Sequence, residues 1–568
     1  MVETQRIVSK KGIFDTPVFA TAHDVASSRH YVLQSEVLDM LKQWEQDDRK
    51  QAGLRGARGA FASTEQMLTL LLILVRKEAP LTMTAATSLV YYGMEQNARD
   101  ELGLIFSEQS VTAQQIYDRL YRSFHRFMKV IDPYPMQRRC LMTKAEFDAL
   151  NEAADQQRRA IMLERCRTLM NRMLLATIPR WVRRRSDGNV AVDGTFVAAY
   201  GQQGTKKRSQ YVAIEPYAGF YVRSEDHFYD PNAKHSKSDI KGWGWEATLA
   251  VLGTNDPHRE MTFPQLIAGI NLTTPGAAPG PSAIHSVRYM HREDYRPGDE
   301  RFKAGILAGD RIYGNTPKPE NFQIPARALG YDLLFDLKEE YWGKTYPTGG
   351  AIMLEGNAYS PAIMAYPKLI SATIDYYADD DSEERIDSET YQNRLQQRAK
   401  FLVKFHTAQR SDGSRQGICP ASGPNPTLHC PLRAFFNTTV SDKGKTLLPI
   451  AKKNVPSEEL RGGLCNNTGG TMVLRGDAWD KHALGGYFQF GTPKWHSYYS
   501  SLRQRGESAN ATAKDSASVA LASPERRRIR GYAAAFLFST LMLMHLNLNL
   551  DPPMSWVWLR RFNVEVRL

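Results

Sequence analysis

Through the first third of the chain, apolar positions recur every three or four residues. Residues 35–185 therefore read as helical, with Ile116, Leu120, Phe124 and Phe127 on one face of 116–131 and a compact apolar run at 68–75. At Gly188 the period changes. Residues 189–197, Asn-Val-Ala-Val-Asp-Gly-Thr-Phe-Val, are apolar and β-branched, as a central strand requires. Residues 219–222, 245–253 and 331–337 read as further strands, and 304–310 is an apolar segment that ends in an acid. Helices are expected over 286–292 and over 320–329, the second closed by Gly330. This mixture predicts an α/β core.

From 343 to 491 the helical period mostly lapses, apart from 390–400, and Gly, Pro, Thr and Tyr dominate around short runs such as 351–354. A β-rich insertion is expected there. The helical period returns at 496–521 and again at 525–548. No internal repeat is visible. At 568 residues the chain exceeds one ordinary core. Four units are expected: a helical, basic region for DNA binding or dimerisation (1–187), the first part of the core (188–342), the insertion (343–491) and C-terminal helices that complete the core (492–568).

Composition adds three constraints. Apolar residues make up 42% and charged residues 24%, the balance of a globular protein. The net charge of +12 favours polyanionic partners, because neutralised phosphates release their counterions. Five cysteines in so long a chain argue against a disulfide scaffold and for a reducing, cytoplasmic setting. Residues 1–12 lack the apolar core of a signal peptide. Residues 532–550 are apolar but broken by Ser539, Thr540, His545, Asn547 and Asn549, so a buried core helix is expected, not a membrane span.

The densest basic stretch sets nine arginines, including Arg158, Arg165, Arg183, Arg184 and Arg185, against the single acid Glu164. Arg183, Arg184 and Arg185 are the candidate phosphate contacts. The sharpest chemical signal lies in Tyr499-Ser-Ser-Leu-Arg503-Gln-Arg-Gly-Glu507-Ser-Ala-Asn510-Ala-Thr-Ala-Lys514. On a helix, Arg503, Glu507, Asn510 and Lys514 share one stripe, which sets a carboxylate between cations. Such a face suits metal binding by the acid and phosphate binding by its neighbours. Asp193 sits within a strand-like run, where an acid is costly without a partner, and Asp310 ends another. Carboxylates from separate strand ends can converge on a hard cation.

Val192-Asp193-Gly194-Thr195, Ala308-Gly309-Asp310-Arg311-Ile312-Tyr313-Gly314 and the helix bearing Glu507 together resemble the DDE transposases of bacterial insertion sequences. One branch of that family carries Tyr, two residues, Arg, three residues, Glu, six residues, Lys. Arg503, Glu507 and Lys514 match it, whereas Ser500 takes the tyrosine's place and Tyr499 lies one residue early. The resemblance covers roughly 189–342 and 494–548. It implies a ribonuclease-H-like core with a β-rich insertion, and Asp193, Asp310 and Glu507 as ligands of two Mg²⁺ or Mn²⁺ ions. It also implies cleavage at transposon ends with strand transfer into target DNA, carried out by a homodimer on double-stranded DNA. A metal-dependent nuclease that does not join DNA, and an inactive DNA-binding relic, are the alternatives.

Other features carry weaker expectations. Cys419, His429, Cys430 and Cys465 could form a zinc site in the insertion, although their spacing is not that of a usual knuckle. Trp342 or Tyr341 could stack on an unpaired base. The polar stretch containing Glu225, Asp226, His227, Asp230, His235 and Asp239, and the acidic run 379–384, read as solvated loops. No phosphate-binding loop of the Walker type is present.

Overall fold

The computed structural model describes residues 18–53, 61–134, 142–201, 210–223, 240–291, 302–314, 316–407, 410, 412–422, 428 and 471–561. The architecture is mixed α/β. Its centre is a curled mixed sheet of β1 (Val190–Ala198), β2 (Gly219–Arg223), β3 (Ile240–Leu252), β4 (Ile267–Thr273), β5 (Ile306–Gly309) and β6 (Asp332–Phe335). The order is β2-β3-β1-β5-β6, with β4 also pairing with β3. β1, β3 and β4 run antiparallel, whereas β1, β5 and β6 are parallel neighbours.

The expected strands form, with two differences. β3 begins five residues before the expected segment, and β4 was not anticipated. The sequence of β4, Ile-Ala-Gly-Ile-Asn-Leu-Thr, hides its strand character because polar and apolar positions do not alternate. Both of its faces are buried, so the interior Asn271 must be satisfied inside the protein, and its side-chain amide donates to Ser282 Oγ at 2.9 Å. Gly269 is required there, because a Cβ would lie 1.8 Å from the Ser286 carbonyl oxygen. The helix that supplies Ser286 spans Pro279–Val287, earlier than expected, with proline at its start.

Alternation along β3 divides the core. Ala247, Leu249 and Val251 join the N-terminal helices and the helix Tyr532–Arg561 in one cluster, while Ala250 and Leu252 join the Pro279–Val287 side in another. The helical region thus shares its core with the sheet. Capping boxes at Ser63/Gln66 and Thr112/Gln115 start two of its helices, Thr64–Arg76 and Ala113–Ile131. The helix Gln156–Leu175 lies on β4, where the Asn171 side chain exchanges two 2.9 Å hydrogen bonds with the backbone of Ile270.

The helix Tyr532–Arg561 is buried through most of its first half, as its apolar sequence predicts. Its polar Asn547 is satisfied by both the N–H and the carbonyl of Ile267. Among the described residues, no helix is long and apolar enough to cross a membrane.

The insertion is less β-rich than expected. Its described residues form two three-stranded antiparallel sheets: β7 (Thr345–Thr348), β8 (Ala351–Leu354) and β9 (Asn357–Tyr359), then β10 (Lys404–Phe405), β11 (Arg415–Ile418) and β12 (Thr471–Leu474). Between and beside them stand the helices Pro367–Ile370, Ala372–Tyr376, Ser388–Ala399 and Asp477–His482. Most of these are a single turn, too short to leave a periodic trace in sequence. A fully buried ion pair, Arg398–Glu355, ties the longest of these helices to the turn after β8. The chain returns to the core through Leu484, whose carbonyl accepts from the Phe335 N–H at the edge of β6 at 3.0 Å.

Candidate active site

The site is assembled at the end of the parallel half of the sheet. Val192 lies opposite Gly309, and Gly309 opposite Phe335, so the next residues on the three strands are Asp193, Asp310 and Asp336. Adjacent strands are spaced about 5 Å apart, which sets the three aspartates side by side. Close packing of β5 on β1 depends on Gly309, because a Cβ there would lie 2.7 Å from the Val192 carbonyl oxygen.

The helix Pro493–Lys514 crosses this end and packs on β1, β3 and β5. Thr492 caps it, accepting from the Trp495 N–H, and Pro493 occupies the first turn. It ends earlier than the sequence period suggests, at Lys514, with the described chain 515–521 in turns. At Gly506 the helix comes close to β1: a Cβ would make ordinary contact with Ala191 at 3.5 Å and Asp193 at 3.7 Å.

This helix brings three of the anticipated side chains to the aspartates. Arg503 stands between two acids, with Nη1 3.6 Å from Asp310 Oδ2 and Nη2 2.9 Å from Glu507 Oε1. Glu507 is mostly exposed, and Asp310 about half so. Asp193 is the most enclosed of the three. Burial raises its carboxyl above the ordinary range, against the lowering effects of Arg503, the Gly194 N–H and Asn510. Its Oδ1 accepts from the Gly194 N–H at 2.9 Å and its Oδ2 from Asn510 Nδ2 at 2.8 Å.

Two further side chains at the site, Tyr499 and Asp336, are not placed there by the sequence alone. Tyr499 lies one turn before Arg503, and its hydroxyl donates to the Gly309 carbonyl at 3.4 Å, directly before Asp310. Offsets of three and four residues share a helix face, so its shift from the family spacing leaves it facing the site. Burial, with Asp336 adding, pushes the Tyr499 phenol up to about 12. Asp336 pairs with Arg311 at 2.6 Å, which steadies the residue that follows Asp310. Its position at the end of the apolar run 331–335 matches that of Asp310 at the end of its own, and this was the signal that could have found it.

Other expectations are revised. Asn510 is only 4% exposed, so it faces Asp193 and not DNA. Lys514 is half-buried at the helix end. Arg183 is held by the Leu175 carbonyl at 2.6 Å and lies over Phe302, whereas Arg184 and Arg185 are exposed. Much of the basic run is engaged internally: Arg158 and Arg165 both bind Asp48, and Arg167 binds Asn271. Trp342 stacks on Tyr377 with ring centroids 4.8 Å apart, and Tyr341 packs edge-on against His482. The Cys419 thiol is buried against Ser360 Oγ at 3.5 Å. His429, Cys430 and Cys465, and the acidic and histidine residues of 225–239, lie outside the described residues.

Among the described residues, no three acidic, histidine or cysteine side chains are drawn into a ready-made ligand set. The triad is instead arranged around the Arg503 guanidinium, with Asp193 and Asp310 adjacent and Glu507 one helical turn beyond Arg503. Compared with known proteins, the chain matches no family model, no curated protein and no solved structure.

Proposed function

We propose that the chain is a DNA transposase of the DDE type, with a ribonuclease-H-like core in which Asp193, Asp310 and Glu507 hold two divalent cations. One observation carries the reading: acids on adjacent parallel strands stand beside a helix that presents Arg503 and Glu507 over them. Sequence motifs far apart in the chain thereby meet at one place, in keeping with the family resemblance.

The residues fit a hard cation. Their donors are all oxygens, the set that Mg²⁺ and Mn²⁺ prefer. Asn510 Oδ1, beside Asp193, is buried and has no hydrogen-bond partner among the described residues. Burial raises the Asp193 carboxyl against the lowering effects of Arg503, the Gly194 N–H and Asn510, and a divalent cation would favour its ionised form further. When bound, such ions activate the attacking oxygen and stabilise the leaving oxygen of a phosphodiester.

The chain's own groups supply the rest. Arg503, already poised between carboxylates, binds the phosphate flanking the cut. Lys514, about 16 Å further along the helix, holds the next stretch of backbone. Tyr499 braces the strand end that carries Asp310. A homodimer on double-stranded DNA brings two transposon ends together.

Asp193→Asn, Asp310→Asn and Glu507→Gln are each expected to lower Mg²⁺-dependent end cleavage at least ~100-fold. Thermal unfolding and end binding stay near wild type. Near-wild-type cleavage by any one variant removes that residue from the site. Cleavage without joining of pre-cut ends makes the protein a nuclease instead.

A further inference from the structure

Asn510 lies on the helix that carries Glu507, three residues beyond it, yet its side chain reaches back to β1. Nδ2 donates to Asp193 Oδ2 at 2.8 Å and lies 3.4 Å from the Gly194 carbonyl oxygen. Its helical neighbours on the buried side, Ala509 and Ala513, are small and apolar. A side chain placed there for packing alone would be apolar too, since an amide leaves its Oδ1 buried and unpartnered. The amide orientation follows from its contacts, because only the NH₂ group can face a carboxylate and a carbonyl together.

We propose that Asn510 is a positioning residue that locks the Asp193 carboxylate to the helix bearing Glu507, and so sets the spacing of the first and third acids for a divalent cation. This rests on the metal-binding reading above. Carboxylates that ligate metals are commonly steadied by a hydrogen-bond donor behind them, and loss of that donor weakens metal binding about 10–100-fold. The same contact ties the helix directly to β1 at Asp193, whereas the ion pairs of Arg503 reach Asp310 and Glu507.

The test is Mn²⁺ titration of the full chain, following free Mn²⁺ by electron paramagnetic resonance, with thermal unfolding measured in parallel. Asn510→Leu keeps the side chain's size and removes both the donor and the bare oxygen. It is expected to unfold at or above the wild-type temperature while binding Mn²⁺ about 10–100-fold more weakly. Asn510→Ala carries the same expectation for affinity should the leucine variant not fold. An affinity within twofold of wild type in either folded variant overturns the positioning role. Failure of both to fold makes Asn510 a packing residue and overturns it equally. Asp193→Asn separates the two levels of the argument. If wild type binds Mn²⁺ no better than Asp193→Asn, the metal reading itself fails and this inference falls with it. If Asp193→Asn alone loses the ion, the metal reading stands and only the role of Asn510 is withdrawn.

Discussion

Chemically identical side chains take different roles here according to what surrounds them. Arg503 and Arg505 are two residues apart, yet Arg503 faces the acids while Arg505 is buried and donates to the Leu252 and Phe263 carbonyls at 3.1 and 3.0 Å. Histidines show the same dependence. His291 bonds to the buried Tyr331 hydroxyl at 2.7 Å, and burial pushes it down to about 4, against a raising contact from the Phe302 backbone. Burial likewise pushes His285 down to about 3. A histidine lowered on folding binds its proton first in the unfolded chain. Stability is therefore full above about pH 6.5 and falls as the pH drops from there toward about 4. His291→Gln is expected to flatten part of that decline, leaving the share due to His285. Unfolding temperatures measured from neutral pH down to pH 4.5 check this, and parallel curves for the two proteins would exclude His291 as a source.

At the level of elements, two glycines at the site have opposite requirements. Gly309 lets β5 lie against β1, where a Cβ would meet the Val192 carbonyl at 2.7 Å and its Cγ2 at 2.9 Å. Gly309→Ala is expected to cost about 1–3 kcal/mol through overpacking. Because the strands part beside Asp193 and Asp310, the proposed cleavage should fall further than stability. Gly506 sits inside a helix with room for a methyl group, at 3.5 Å from Ala191 and 3.7 Å from Asp193. Gly506→Ala should instead stabilise the protein by about 0.5–1 kcal/mol, since glycine is a poor helix former. Urea unfolding of both variants decides the matter, and equal destabilisation of the two would mean that the helix and β1 are closer than the geometry indicates. Neither requirement was legible in the sequence. A glycine beside an acid looks the same whether a neighbouring backbone or open space lies over it.

Across the whole molecule, the net charge of +12 is a poor guide to where DNA would bind. The basic run 158–185 is densest in sequence, but Arg158 and Arg165 meet Asp48, a residue on a helix more than a hundred positions earlier. Arg184 and Arg185 remain exposed. Replacing both by Ala should lower the slope of log affinity for end DNA against log salt by up to about 0.9 for each phosphate no longer neutralised. Arg183→Ala should leave the slope unchanged, because that side chain is held by the Leu175 carbonyl. Binding measured between low and moderate salt separates them, and a slope unaltered in the double variant places the DNA elsewhere on the surface.

The sequence by itself determined the α/β class, the positions of β1, β2, β5 and β6, the buried character of 532–546, and the stripe that joins Arg503 to Glu507. Each of these depends on local periodicity or on helical spacing, which a linear reading captures. It also marked Asp193, an acid within an apolar run, and Asp310, an acid that ends one, since a carboxylate in such a place is costly without a partner. Tertiary structure alone decided the rest. β4 escaped notice because burial on both faces erases alternation, and the insertion's shorter helices because single turns carry no period, whereas the helix Ser388–Ala399 matches the one expected over 390–400. Asp336 gained meaning only from parallel pairing with β5, and Asn510 only from the approach of its helix to β1. Whether an arginine meets solvent or a distant aspartate depends on contacts between residues far apart in the chain, and no local pattern records them.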